Sequence, residues 1–129
     1  MTILKAPHPM LKTVCRPDFV IKVETLALMF CLMEEAGGCG LAAPQVGIDG
    51  RFFVTAWGEV FVNPKISLFK NRYWTTEGCL SLEGQHKVYR YEGIHLEDGR
   101  KYYGHKAQVI QHELDHLDGI LISDEGIPQ

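Results

Sequence analysis

His112-Glu113-Leu114-Asp115-His116 is the stretch from which the fold and chemistry of this chain are read. Two histidines stand four residues apart, with a glutamate directly after the first. On an α-helix, residues i and i+4 share a face. Both imidazoles can therefore reach one divalent metal, with Glu113 beside it as general base for a metal-bound water. Histidine pairs at this spacing also occur on solvated helix faces, so the motif needs support from elsewhere in the chain.

A zinc-type catalytic centre takes a third protein ligand and keeps one position open. No histidine follows His116, so that ligand comes from upstream. The candidates are Cys15, Cys31, Cys39, Cys79, His8, His86, His95, His105 and the carboxylates. Cys79 is distinguished by its setting, Glu77-Gly78-Cys79-Leu80-Ser81, a polar surround with a glycine that lets the backbone come close. Cys15 and Cys31 read as small core hydrophobes, and His8 and His95 as surface or strand residues. A third segment, Gly38-Cys39-Gly40-Leu41-Ala42-Ala43-Pro44-Gln45, has a backbone with little side-chain cover. It suits close approach of a substrate or another strand, and Gln45 offers an amide donor for an oxyanion. No Gly-Lys-Ser/Thr follows, which excludes a phosphate loop.

Together the three segments resemble the peptide deformylases. That family carries Gly-φ-Gly-φ-Ala-Ala-x-Gln, Glu-Gly-Cys-φ-Ser and His-Glu-φ-Asp-His in this order, matched here by Gly38–Gln45, Glu77–Ser81 and His112–His116. The resemblance runs from about Ile3 to Asp124. It implies one divalent metal ion per chain on Cys79, His112 and His116. Fe2+ is the implied ion in cells, with Zn2+, Ni2+ or Co2+ also accepted. It further implies that metal-bound hydroxide attacks the formyl carbon of a formyl-methionyl peptide, with Glu113 as general base and acid. Gln45 and the backbone N–H of Leu80 would hold the oxyanion. The peptide would add as a β-strand against Cys39 and Gly40, its methionine side chain near Gln108 and Val109.

Composition agrees with a globular chain. Of 129 residues, 46% are hydrophobic and 22% charged, enough apolar material to bury a core without disulfides. The net charge of −3 gives no general attraction to nucleic acid. No apolar run reaches the ~20 residues of a membrane helix, and Met1-Thr2-Ile3-Leu4-Lys5 is no signal peptide. A reducing cytoplasm is expected, the host's if the chain is phage-encoded. A monomer is expected, forming a single catalytic domain over residues 1–129.

The expected fold is α+β: small antiparallel sheets packed around a central metal-binding helix, with a second, N-terminal helix. That first helix is expected over about Glu24–Ala36, with Leu26, Met29, Phe30 and Met33 as its core stripe. Strands are expected over Arg51–Ala56, Val60–Asn63 and Lys65–Phe69 extending toward Trp74. Val88–Glu97 and Lys101–Tyr103 read as a hairpin about Asp98-Gly99. The metal helix is expected over about His105–Leu117, ending at Gly119.

Three places depart from the family pattern. Where bacterial members often carry a substrate-holding arginine, this chain has His86 and Lys87; Arg90 is the nearer cation, structural or substrate-facing. Gln108 and His105 stand where members place apolar groups, and either polarise the methionine pocket or face solvent. Only 13 residues follow His116, too few for the C-terminal helix by which many bacterial members dock on ribosomes. Ribosome binding is therefore expected to be weak or absent, and the compactness resembles deformylases carried by some phages. Two other classes share features with the chain. A zincin-type metallopeptidase shares the helix motif, but Cys79 as ligand argues against it. A non-enzymatic metal-binding module would have no use for Glu113 and Gln45.

Overall fold

The computed structural model describes residues 1–125. Of the 13 residues after His116, read above as too few for a ribosome-docking helix, 126 to 129 lie outside that range. The elements in chain order are α1 (Val23–Glu35), β1 (Gly40–Ala42), β2 (Phe52–Thr55), β3 (Val60–Val62), β4 (Ile66–Cys79), β5 (Leu82–Leu96), β6 (Lys101–Tyr103), α2 (Gly104–Leu117) and α3 (Ile122–Glu125). Two antiparallel three-stranded sheets result, ordered β1-β2-β3 and β4-β5-β6. The expected α+β architecture is the one observed.

The first sheet is covered on both faces, which explains why all four residues of β2 are buried. Side chains alternate along a strand. Phe52 and Val54 join Met29, Met33, Leu41 and Ala43 beneath α1. Phe53 points the other way and joins Ala42, Phe61, Ile94, Leu96, Ala107, Ile110 and Leu117 around α2. Burying each of the large side chains contributes roughly 1.5–3 kcal/mol. Helix α2 is thus pinned between the two sheets.

Helix α1 follows its expected stripe, with Met29 and Met33 buried. Cys31, expected in the core, is exposed. It sits two positions from each buried methionine, and two helical steps of 100° turn it to the opposite face. Cys15 is buried as expected.

The second sheet extends further than the sequence pattern indicates. β4 runs five residues beyond Trp74, and β5 begins at Leu82 rather than Val88. The pairs Trp74↔Tyr89, Thr76↔Lys87 and Glu77↔His86 continue the ladder to a turn at Leu80-Ser81. Residues 75–87, rich in glycine and charge, lack an apolar alternation, so only the backbone pairing reveals them as strand. The region expected to hold a substrate cation at His86 or Lys87 is therefore β5. The Lys87 ammonium lies 5.4 Å from the Trp74 ring centroid on the ribbon surface.

Helix α2 ends at a glycine, as read. The Gly119 N–H donates to His116 O (3.1 Å) and the Ile120 N–H to Asp115 O (2.9 Å). Gly119 has φ +72°, and a Cβ there would lie 2.5 Å from the Lys12 carbonyl oxygen. Any other residue would therefore push the N-terminal segment off the helix end.

Candidate metal centre and active site

Two elements deliver the centre. One helical turn of α2 presents His112 and His116, their ring centroids 5.1 Å apart. The end of β4 presents Cys79, whose Sγ lies 3.4 Å from His116 Nε2. One ligand atom from each of Cys79, His112 and His116 falls within 4.8 Å of the others. Thiolate with two imidazoles, three ligands and an open side, is the donor set of a catalytic centre for a borderline metal.

The orientation of His112 is set from behind. Its Nδ1 lies 2.8 Å from Glu77 Oε1, which turns Nε2 toward Cys79 and His116. Glu77 is clamped by Arg90, whose Nε and Nη2 donate to its two oxygens at 2.9 and 2.8 Å. Arg90 Nη1 donates to Asp115 Oδ2 at 2.9 Å. Arg90 is only 3% exposed, so it is structural and does not face a substrate. Burial pushes the Glu77 carboxyl up, but the hydrogen bonds from His112 and Arg90 outweigh this and hold it at about 2. Burial likewise disfavours the Arg90 charge, and Glu77 and Asp115 more than compensate.

The ligands themselves sit in contrasting fields. Burial pushes His116 down to about 3, and the neighbouring His112 acts in the same direction, so His116 is a neutral imidazole. Burial also opposes charge on His112, but Cys79 and Glu77 hold its value up at about 10. Such a raised site holds a cation strongly, which is what a metal supplies in place of the proton.

Glu113 stands apart from the ligand set. It is 4% exposed, and its Oε1 is buried with no partner among the described residues. A buried carboxylate oxygen without a donor is costly, and a water held on a metal at this centre would supply that donor. Burial raises Glu113 to about 7, against the pull of His112, placing it where a group can both take and return a proton. The metal therefore fits the residues present. Gly40 is what gives Glu113 its place: a Cβ on Gly40 would lie 2.7 Å from Glu113 Oε2.

Gln45 is 1% exposed at the other wall. Its Oε1 accepts from the Ala42 N–H (3.0 Å). That leaves its Nε2 to donate to Ser81 Oγ (3.1 Å), 3.8 Å from Cys79 Sγ. The turn bearing Leu80 is tied down by the N-terminal segment: Lys5 Nζ donates to Leu80 O and the Ala6 N–H to Ser81 O. The Leu4 N–H donates to Gln45 O (2.7 Å), so the same segment clips both walls. These ties carry no local sequence signal.

Much of the centre opens on a cavity of about 420 Å³, the size of a small-ligand site. Cys39, Gly40, Gln45, Cys79, Leu80, Gln108, Val109, His112 and Glu113 line it, and so does the exposed His105. Gln108 is half-buried on the cavity wall. His86, Lys87 and Arg90 are not among the lining residues. The sequence shows Glu77 only as part of its motif and does not decide between a structural and a substrate-facing Arg90. Their signal was an acid two residues before the candidate ligand and an arginine two residues after buried Val88, but the partnership is visible only across strands.

A polypeptide deformylase family model matches residues 1–129. The peptide deformylase of Dictyoglomus thermophilum is 40% identical over 142 aligned residues, covering 98% of this chain and 93% of its own length. That of Symbiobacterium thermophilum is 35% identical over 143, covering 97% of this chain; the chain spans 66% of that relative's length. The crystal structure of peptide deformylase from Thermotoga maritima superposes with a TM-score of 0.86 at 34% identity, covering 98% of this chain and 97% of that one. With matching motifs, fold and extent, the chain belongs to the polypeptide deformylase family.

Proposed function

We propose that residues 1–129 form one catalytic domain that removes the formyl group from the N-terminal formyl-methionine of newly made polypeptides, releasing formate. The observation that carries this reading is the convergence of Cys79, His112 and His116 beside a buried Glu113, one oxygen of which has no partner among the described residues. Cys79, His112 and His116 would hold one divalent ion, iron in cells. When bound, it acidifies a water and polarises the formyl oxygen. Glu113 takes a proton from the attacking water and returns it to the departing amine, so water and formamide become formate and a free N-terminus. The Gln45 amide and the Leu80 N–H stabilise the charge on the formyl oxygen.

Substrate alignment falls to β1, which lies at the edge of its sheet. The Cys39 carbonyl is already taken by the Ala56 N–H (2.8 Å), and pairing alternates along an antiparallel ladder. Gly40, opposite Thr55, therefore turns its own N–H and C=O away from β2. A peptide main chain adds there. The Cys39 carbonyl is thus withdrawn from that pairing, which leaves its N–H beside the N–H and C=O of Gly40 to meet the peptide, and Val109 and Gln108 flank the methionine side chain. Anaerobic assay of formate release from formyl-Met-Ala-Ser, with metal content measured in parallel, tests the reading. Metal-loaded protein that leaves the formyl group in place overturns it.

A further inference from the structure

The carboxylate of Glu77 has about four lone-pair positions, and in this fold all four are used. Arg90 takes two and His112 one. The fourth donor is Gln108 Nε2, 3.0 Å from Glu77 Oε2. We infer that Gln108 is a positioning residue of the metal site, holding Glu77 and through it the ring of His112.

The amide's orientation is determined by its surroundings. A carboxylate only accepts, so Nε2 must face Glu77 and Oε1 must face away. Oε1 lies 3.4 Å from the Tyr73 hydroxyl, which donates to it. Burial and the charge of Glu77 push the Tyr73 hydroxyl above its ordinary value, so it stays a donor at neutral pH. A chain of contacts thus runs from β4 through α2 to the ligand: Tyr73, Gln108, Glu77, His112. Gln108 stands four residues before His112, one turn earlier on the same helix face, so helix and strand are cross-linked beside the ligand.

The consequence is specific. Gln108 lines the cavity, yet both ends of its amide are engaged. Only the second N–H of its amide is left to face the peptide. Removing it leaves one lone pair of a 7% exposed carboxylate without a partner and frees Glu77 to turn, so metal retention suffers before peptide selection does. This rests on the metal-centre reading above.

Cobalt(II) is the probe, because its visible spectrum reports ligand geometry. Dissociation into excess EDTA is timed for the unaltered protein, Gln108→Leu, Gln108→Met, Tyr73→Phe and Tyr73→Phe combined with Gln108→Leu. The expected result is loss of cobalt about 10–100-fold faster from both Gln108 variants, with an altered spectrum. Tyr73→Phe should take a smaller step that disappears in the Gln108→Leu background. Wild-type retention and spectrum in the Gln108 variants, with only the peptide KM changed, would overturn the inference. If the Gln108 variants fail to fold, Tyr73→Phe decides alone, an unchanged dissociation rate counting against it. Failure of the unaltered protein to take up cobalt would instead overturn the metal-centre reading.

Discussion

Gly40→Ala isolates the placement of the general base. The residue lies in β1, and the backbone there is not in the left-handed region, so alanine imposes no φ strain. The new Cβ would stand 2.7 Å from Glu113 Oε2, 2.8 Å from Cγ and 2.9 Å from Cδ. Ordinary contact begins at 3.4 Å, so the carboxylate must retreat by at least 0.7 Å. Glu113 is 4% exposed on a helix packed between two sheets. It cannot yield freely, and crowding of this kind costs about 1–3 kcal/mol of stability. A misplacement on the order of 1 Å at a reacting centre costs about 10²-fold in rate, or about 2.7 kcal/mol of barrier. The metal ligands lie elsewhere on α2 and β4, so metal content should stay near one per chain. Formate release from formyl-Met-Ala-Ser should fall about 10²-fold in kcat. Adding Gly40→Ala to Glu113→Gln should cost little more, since both act through one carboxylate. Unchanged kcat at full metal occupancy would refute the argument that Gly40 makes room for a working base.

Cys79→Ala, His112→Ala and His116→Ala should each lose bound metal; full stoichiometry in all three by elemental analysis would discard the ligand assignment. Glu113→Gln should keep its metal and lose about 10²–10⁴-fold in turnover, measured on metal-quantified protein. Gln45→Leu should lower kcat by about 10²-fold. It also strands the Ala42 N–H and Ser81 Oγ, so its thermal midpoint should drop as well; a change in KM alone would make Gln45 a ground-state binder. Arg90→Met leaves Glu77 buried without its cation and should destabilise the fold by about 3–5 kcal/mol, read by urea denaturation. A loss under 1 kcal/mol would mean that Gln108 and His112 suffice for Glu77.

Local spacing in the sequence was enough to find the two histidines and Glu113, because i and i+4 on a helix must share a face. The α1 stripe and the Asp98-Gly99 turn were legible for the same reason: each depends on residues a few positions apart. The setting of Cys79 and the amide of Gln45 made them candidates, but their roles and that of Leu80 rested on the resemblance of their motifs, since nothing in a cysteine's neighbours states which helix it will meet. What only the tertiary structure decided lies across strands. The pairing Glu77↔His86 continues a ribbon through residues with no apolar alternation. Arg90, undecided as a strand cation, is carried inside by that ribbon to meet Glu77 and Asp115. Gln108 becomes the fourth partner of the same carboxylate, and Gly40 the space that Glu113 occupies. These are contacts of high sequence separation, formed because two sheets close on one helix. A pattern read along the chain reports the neighbours of each residue on its own element; the partner that satisfies a buried charge is chosen by how the elements pack.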